Sequence, residues 1–169
     1  LGLATANLAL ARPDGALDTS FGDDGWDYFN PAFATPADCS DMAVRPDGRF
    51  AITGDVYSTG PWGALSCVRN TNGGTSTCIT LHYDLGGESR TWGAGIAVQS
   101  DNKAVIVGQA DGPLNDPLPV AMALRMTSAN TTDGSFNGGS GAVQYAPGFD
   151  AGFNAVTVAN PSRAAIPAE

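Results

Sequence analysis

The chain is short of the residues that carry most chemistry. Its 169 residues include one lysine (Lys103), one histidine (His82) and two glutamates (Glu88 and Glu169), and only 15% are charged. Eight basic side chains against seventeen acidic ones leave a formal charge of −9. No basic cluster exists to displace counterions from phosphates, so nucleic acid is excluded as a partner and an anionic membrane surface is disfavoured. No apolar run reaches the roughly 18 residues a membrane span needs, so no membrane insertion is expected. Long periodic runs of Leu, Ala, Glu and Lys are also missing, which leaves helix a minor component at most. With one histidine there is no HxxxH, and there is no CxxC for zinc either. No GxSxG elbow and no glycine loop leading from strand to helix occur. No catalytic residues are assigned.

Glycine (22) and proline (11) are abundant, and hydrophobic residues make up 43%. That mixture suits many short strands joined by turns, in a chain long enough to bury a core. Fifteen of the seventeen acids are Asp, whose short carboxylate holds nearby backbone N–H groups in turns. The mildly apolar start, LGLATANLALARPDG, has no basic region ahead of it and reads as a first strand rather than a signal peptide.

Residues 41–54, DMAVRPDGRFAITG, read as strand, turn and strand, and return 54 residues later as 95–108, GIAVQSDNKAVIVG. The copies share Ala43/Ala97, Val44/Val98, Asp47/Asp101, Ile52/Ile106 and Gly54/Gly108. Arg12, Arg69 and Arg125 each close an apolar strand, at spacings of 57 and 56. The turn DTSFG at 18–22 is echoed by DGSFN at 133–137, and 154–166, NAVTVANPSRAAI, is a degraded third copy of the opening stretch. These markers divide the chain into unit 1 (1–59), unit 2 (60–115) and an incomplete unit 3 (116–169). The predicted strands lie at 6–12, 26–29, 41–45 and 49–53, then 64–69, 78–83, 95–99 and 104–107, then 120–125, 142–145 and 153–158. Asp47-Gly48 and Asp101-Asn102 supply residues that tolerate positive φ at the hairpins. The run Ala104-Val105-Ile106-Val107 is apolar on both faces, as expected of a sheet held between neighbours. The expected fold is therefore all-β, with repeated four-stranded antiparallel units arranged like β-propeller blades.

The stretch LALARPDGALDTSFGDDG (8–25) followed by MAVRPDGRFAITG (42–54) resembles the delta-60 repeat. Units of that family run ARxxxDGxLDxSFGxxG and then AVxxxPDGKIxxxG. The resemblance covers nearly the whole chain, most closely in unit 1 and least in the first half of unit 2. It implies propeller-like blades and a bacterial secreted or cell-surface setting, without an assigned activity. Fewer than three blades do not close a ring whose smallest common form has about four, so this chain alone leaves the ring unclosed. Copies of the chain or further repeat units are the partners expected to cover the open faces and edges.

Cys67 and Cys78 sit at facing ends of unit 2's first two strands. A disulfide there would close a loop worth about 3 kcal/mol, the alternative being two buried thiols. An oxidised pair fits the compartment the resemblance implies. Cys39 is left over, as a free thiol or one paired to another copy. Asp14, Asp18, Asp23 and Asp24 fall close together in a loop, so they are the calcium candidates, with turn capping as the alternative role. No other cofactor is expected. Trp26 and Trp92 are the ligand-binding candidates, as platforms for sugars or as wedges between blades, and Trp62 is a third such ring. Three functions follow: a secreted, self-assembling or interaction module; a lectin-like binder using Trp and Asp; and a small acidic extracellular hydrolase.

Overall fold

The structure, a computed structural model, describes residues 6–9, 12–29, 37–57, 62–74, 76–82, 90–111, 119–146 and 151–158. Division points 60 and 116, residue Tyr83 and positions 159–166 of the third copy lie outside them. Among the described residues the chain is all-β, with one short 3-10 turn (Phe136–Gly139) and no α-helix. The strands are β1 (Ala6–Ala9), β2 (Trp26–Phe29), β3 (Ala37–Val44), β4 (Phe50–Val56), β5 (Gly63–Arg69), β6 (Ser76–Leu81), β7 (Thr91–Val98), β8 (Ala104–Ala110), β9 (Val120–Met126) and β10 (Ala142–Tyr145). They form a two-stranded sheet β1-β2 and two four-stranded antiparallel sheets, β3-β4-β5-β6 and β7-β8-β9-β10.

The two larger sheets are built alike from their first hairpins onward. Arg45 N–H donates to the Arg49 carbonyl at 2.8 Å and Gly48 N–H to the Arg45 carbonyl at 2.9 Å; the counterparts are Gln99 to Lys103 at 2.7 Å and Asn102 to Gln99 at 3.0 Å. Gly48 (φ 81°) and Asn102 (φ 65°) take the left-handed position that a three-residue hairpin loop needs. Asp47 and Asp101 accept from the N–H of Arg49 and Lys103, each at 3.1 Å. Both hairpins carry a bulge, between Cys39 and Asp41 in one and between Gly93 and Gly95 in the other. Opposite it, a Cβ on Gly54 would overlap the Asp38 carbonyl, and one on Gly108 the Trp92 carbonyl. The shared glycines are there because nothing larger fits.

Four sequence expectations need correction. Strands β3 and β7 start at Ala37 and Thr91 rather than at 41 and 95, because the extra bulge residue breaks the period-two pattern ahead of it. The sheets also straddle the division points near 60 and 116: β4 pairs with β5, and β8 with β9, so each sheet joins the second half of one unit to the first half of the next. Third, Arg69 and Arg125 are not equivalent. Arg69 lies opposite Phe50, whereas Arg125 lies opposite Val105, one step along the ladder, so their side chains leave opposite faces. Fourth, 153–158 is not a strand. A strand needs a ladder partner, and β8 is already paired on both sides. The segment instead lies beside the β7 bulge, with Phe153 N–H donating to the Gly108 carbonyl at 3.0 Å and Ala151 N–H to the Pro119 carbonyl at 3.1 Å.

The sheets stack. One buried cluster fills the first seam, where Phe21 inserts from the loop before β2 against Phe50, Ile52, Val56, Leu65 and Cys67. Its ring meets Phe50 edge to face at 5.6 Å. A second cluster fills the seam between the larger sheets: Ala51, Ala64 and Leu81 from one side, and Ile96, Ile106, Met122, Leu124, Met126 and Ala142 from the other. Small residues on one side and large ones on the other let β7 lie close across β3, β4 and β5.

Candidate functional site

At the first seam the loops meet in an open cleft of about 390 Å³, lined by Gly22, Asp23, Trp26, Asp27, Asn72, Gly73 and Gly74. Local turn chemistry builds both walls. Asp24 (φ 52°) and Gly25 (φ 93°) form the two-residue loop of a tight hairpin, closed by Asp23 and Trp26 exchanging backbone bonds at 2.6 and 3.1 Å. Across the cleft, Gly73 (φ 75°) turns the chain after β5, and Gly22 N–H reaches the Asn72 carbonyl at 2.8 Å. The floor is Asp27, 5% exposed and paired in two-pronged fashion with the guanidinium of Arg69, which is equally buried. This charge pair fixes the floor of the cleft.

The cleft brings together two of the predicted residues, Asp23 and Trp26, the latter 41% exposed. Trp92 is not among the lining residues; it is half-buried on β7, paired with Gln109. Trp62 stands before β5 with its ring 5.3 Å from Tyr57. The calcium candidates do not converge. Asp14 accepts from Ala16 N–H at 3.1 Å and pairs with Arg12. Asp18 accepts from the N–H and the hydroxyl of Ser20, at 3.0 and 2.6 Å, and these bonds hold its carboxyl below the usual range. Asp24 serves the hairpin loop. Among the described residues no three His, Cys, Asp or Glu side chains are grouped to hold a metal.

Asp133 repeats the Asp18 turn, accepting from the N–H and hydroxyl of Ser135 at 3.1 and 2.6 Å. Ser135 first, then Lys103 and Arg125, hold its carboxyl well below the ordinary value. Cys67 and Cys78 lie directly opposite each other on β5 and β6 and are joined in a disulfide. Cys39 is a free, exposed thiol at the bulge of β3. Partial desolvation and the Asp41 carboxylate push that thiol up, the reverse of what a nucleophile requires. His82 is exposed just past β6.

Sequence reasoning missed the polar residues of the second seam. Asp55 of β4 lies directly opposite Asp38 of β3, and its carboxylate accepts from Gly93 N–H at 3.0 Å. Burial raises its pKa to about 6, with the Asp38 charge adding to the shift against the Gly93 bond. Asn130 is 3% exposed in the turn after β9; it donates to the carbonyls of Ser66 and Thr77 at 3.1 and 2.9 Å and accepts from the Ser66 hydroxyl at 2.6 Å. Asp41 accepts from Ile96 N–H at 2.9 Å, Arg45 donates to the Ser128 carbonyl at 2.9 Å, and Asn102 accepts from Asp47 N–H at 3.1 Å. In sequence these residues sit 38 to 83 positions from their partners, so no local pattern marks them. What the site does best is lock one sheet onto the next. No protein-family model matches the chain, and no curated protein matches it.

Proposed function

We propose that this chain is a secreted or cell-surface repeat module of the delta-60 kind, whose sheets act as propeller-like blades that stack on further blades, and that its role is structural or interactive rather than catalytic. One observation carries this reading. Segment 151–158 lies on the β7–β10 sheet at Gly108 and Gly95, much as β7 lies on the β3–β6 sheet at Gly54. In the numbering of the repeat, Phe153 holds the place of Gly93. The stacking thus begins again at the far face. The disulfide supports an oxidising compartment. Light scattering from about 1 to about 100 µM, which spans association free energies of roughly −8 to −5.5 kcal/mol, tests the proposal. Mass rising above 17.2 kDa is the expected result; a monomer throughout counts against it.

The cleft favours a second reading, a glycan-binding module. An exposed indole beside a free-standing carboxylate suits the C–H face and hydroxyls of a sugar, with no metal required. Binding on a glycan array that persists in EDTA and disappears in Asp23→Ala is the expected result. Silence of the wild type on the array removes this reading.

A further inference from the structure

Strands β3 and β7 hold the same place in their sheets, and ladder partners fix the match residue by residue. Met42 lies opposite Ile52 and Val44 opposite Phe50, as Ile96 lies opposite Ile106 and Val98 opposite Ala104. Their surroundings differ. Ile96 is 4% exposed and Val98 is half-buried, both in the cluster of the second seam to which the β3–β4 hairpin contributes Ala43 and Ala51. Met42 is 38% exposed and Val44 62% exposed, although Phe50 and Ile52 opposite them are buried with Phe21 in the first seam.

The difference lies in the sheet behind each strand. Gly25 N–H donates to the Phe21 carbonyl as Gly141 N–H donates to that of Phe136, which sets β2 in the place of β10. Its partner β1 therefore stands where β9 and β5 stand in the larger sheets. β7 rests on β3, β4 and β5. β3 rests on β1, but among the described residues the β1–β2 sheet holds no strands in the places of β3 and β4, and β1 pairs only with β2. What covers Ile96 and Val98 thus has no counterpart over Met42 and Val44.

We infer that this edge receives a β-hairpin from another chain, built like the β3–β4 hairpin. The hairpin pairs with the open edge of β1 and lays two small apolar residues over Met42 and Val44, as Ala43 and Ala51 do in the second seam. Two features select a hairpin over a helix or a loop. β1 offers a ladder to pair with, and the apolar face of Met42 and Val44 continues directly into the first seam through Phe50 and Ile52. Small residues are required at the contact, because only they let an edge strand lie close across the sheet behind it. This rests on the stacking of blades proposed above and names its surface and partner.

The probe is a peptide of the chain's own residues 41–54, closed head to tail. It carries Met42→Thr, Val44→Thr, Phe50→Thr and Ile52→Thr, which keep strand propensity and leave Ala43 and Ala51 as its apolar face. A disulfide across its ends replaces the ring closure if circular dichroism shows no strand. Titrated into the isotope-labelled full chain, the peptide should shift the amide resonances of Met42, Val44 and β1 and saturate below about 1 mM. Val44→Asp in the full chain, which changes a mostly exposed side chain, should weaken binding by about tenfold or more, as should Ala43→Glu with Ala51→Glu in the peptide. No shift, shifts confined to other strands, or equal binding by Val44→Asp overturns this surface. Light scattering keeps the two claims apart. A wild type that associates but ignores the peptide overturns this surface and leaves the assembly reading standing. A monomeric wild type that takes up the peptide at Met42, Val44 and β1 supports the surface and counts against self-assembly.

Discussion

Replacing Asp55 with Asn should stabilise the fold, and the gain should depend on pH. In the folded chain the Asp55 carboxyl has its pKa raised to about 6, first by burial at the second seam and then by Asp38 opposite it. A carboxyl raised above its unfolded value near 4 binds its proton more tightly when folded. Stability is therefore unaffected below pH 4, falls as the pH rises from about 4 to about 6, and stays reduced above that. Two units correspond to about 3 kcal/mol as a ceiling, and solvent reaching this partly buried group lowers the expected cost to roughly 1–2 kcal/mol. Asn keeps an oxygen for Gly93 N–H, which now donates to Asp55 Oδ1 at 3.0 Å. An amide already fits the equivalent place, since Gln109 stands there in the next sheet. Urea unfolding followed by tryptophan fluorescence at pH 7.5 and pH 4 makes the comparison. The variant should be more stable at pH 7.5 by roughly 1–2 kcal/mol and equal to the wild type at pH 4. An equal loss at both values, or no difference at either, would refute the reasoning.

Other outcomes follow from the same geometry. Replacing Cys67 and Cys78 together by Ser should cost about 3 kcal/mol in urea unfolding, through the freedom returned to the loop between them. Asn130→Ala strips the buried Ser66 hydroxyl and carbonyl and the part-buried Thr77 carbonyl of their partner, so it should cost roughly 2–3 kcal/mol while the circular dichroism stays that of a β protein. Calcium at millimolar levels should leave the melting temperature unchanged, because Asp14, Asp18 and Asp24 are each committed to a separate turn; a rise removed by EDTA would show a site those turns do not account for.

Local chemistry was what the sequence made legible. The Gly48 and Asn102 turns, the facing Cys67 and Cys78, and most strands can be read from residues within a dozen positions of one another. Period-two reading failed where the backbone itself departs from period two, at the bulges that hide the first residues of β3 and β7. It also misled at Arg69 and Arg125. Both close a strand in sequence, but the ladder places one beside Phe50 and the other beside Val105, and a single step reverses the face. Sheet membership was hidden for a related reason. Nothing in 41–54 says whether its next neighbour is 26–29 or 63–69, because that choice is made by packing across the seam. The cleft was half legible: Asp23 stood out as a calcium candidate and Trp26 as a platform for sugars, but Asn72, Gly73 and Gly74 join them only through the fold.

Amide hydrogen exchange on the intact chain, read at low and at high micromolar concentration, tests the central claim most directly. If copies stack end to end, the amides of β1, β10 and 151–158 should exchange more slowly as concentration rises, while those of β4, β5 and β8, already enclosed, stay the same. Exchange at both ends that does not change with concentration would contradict it.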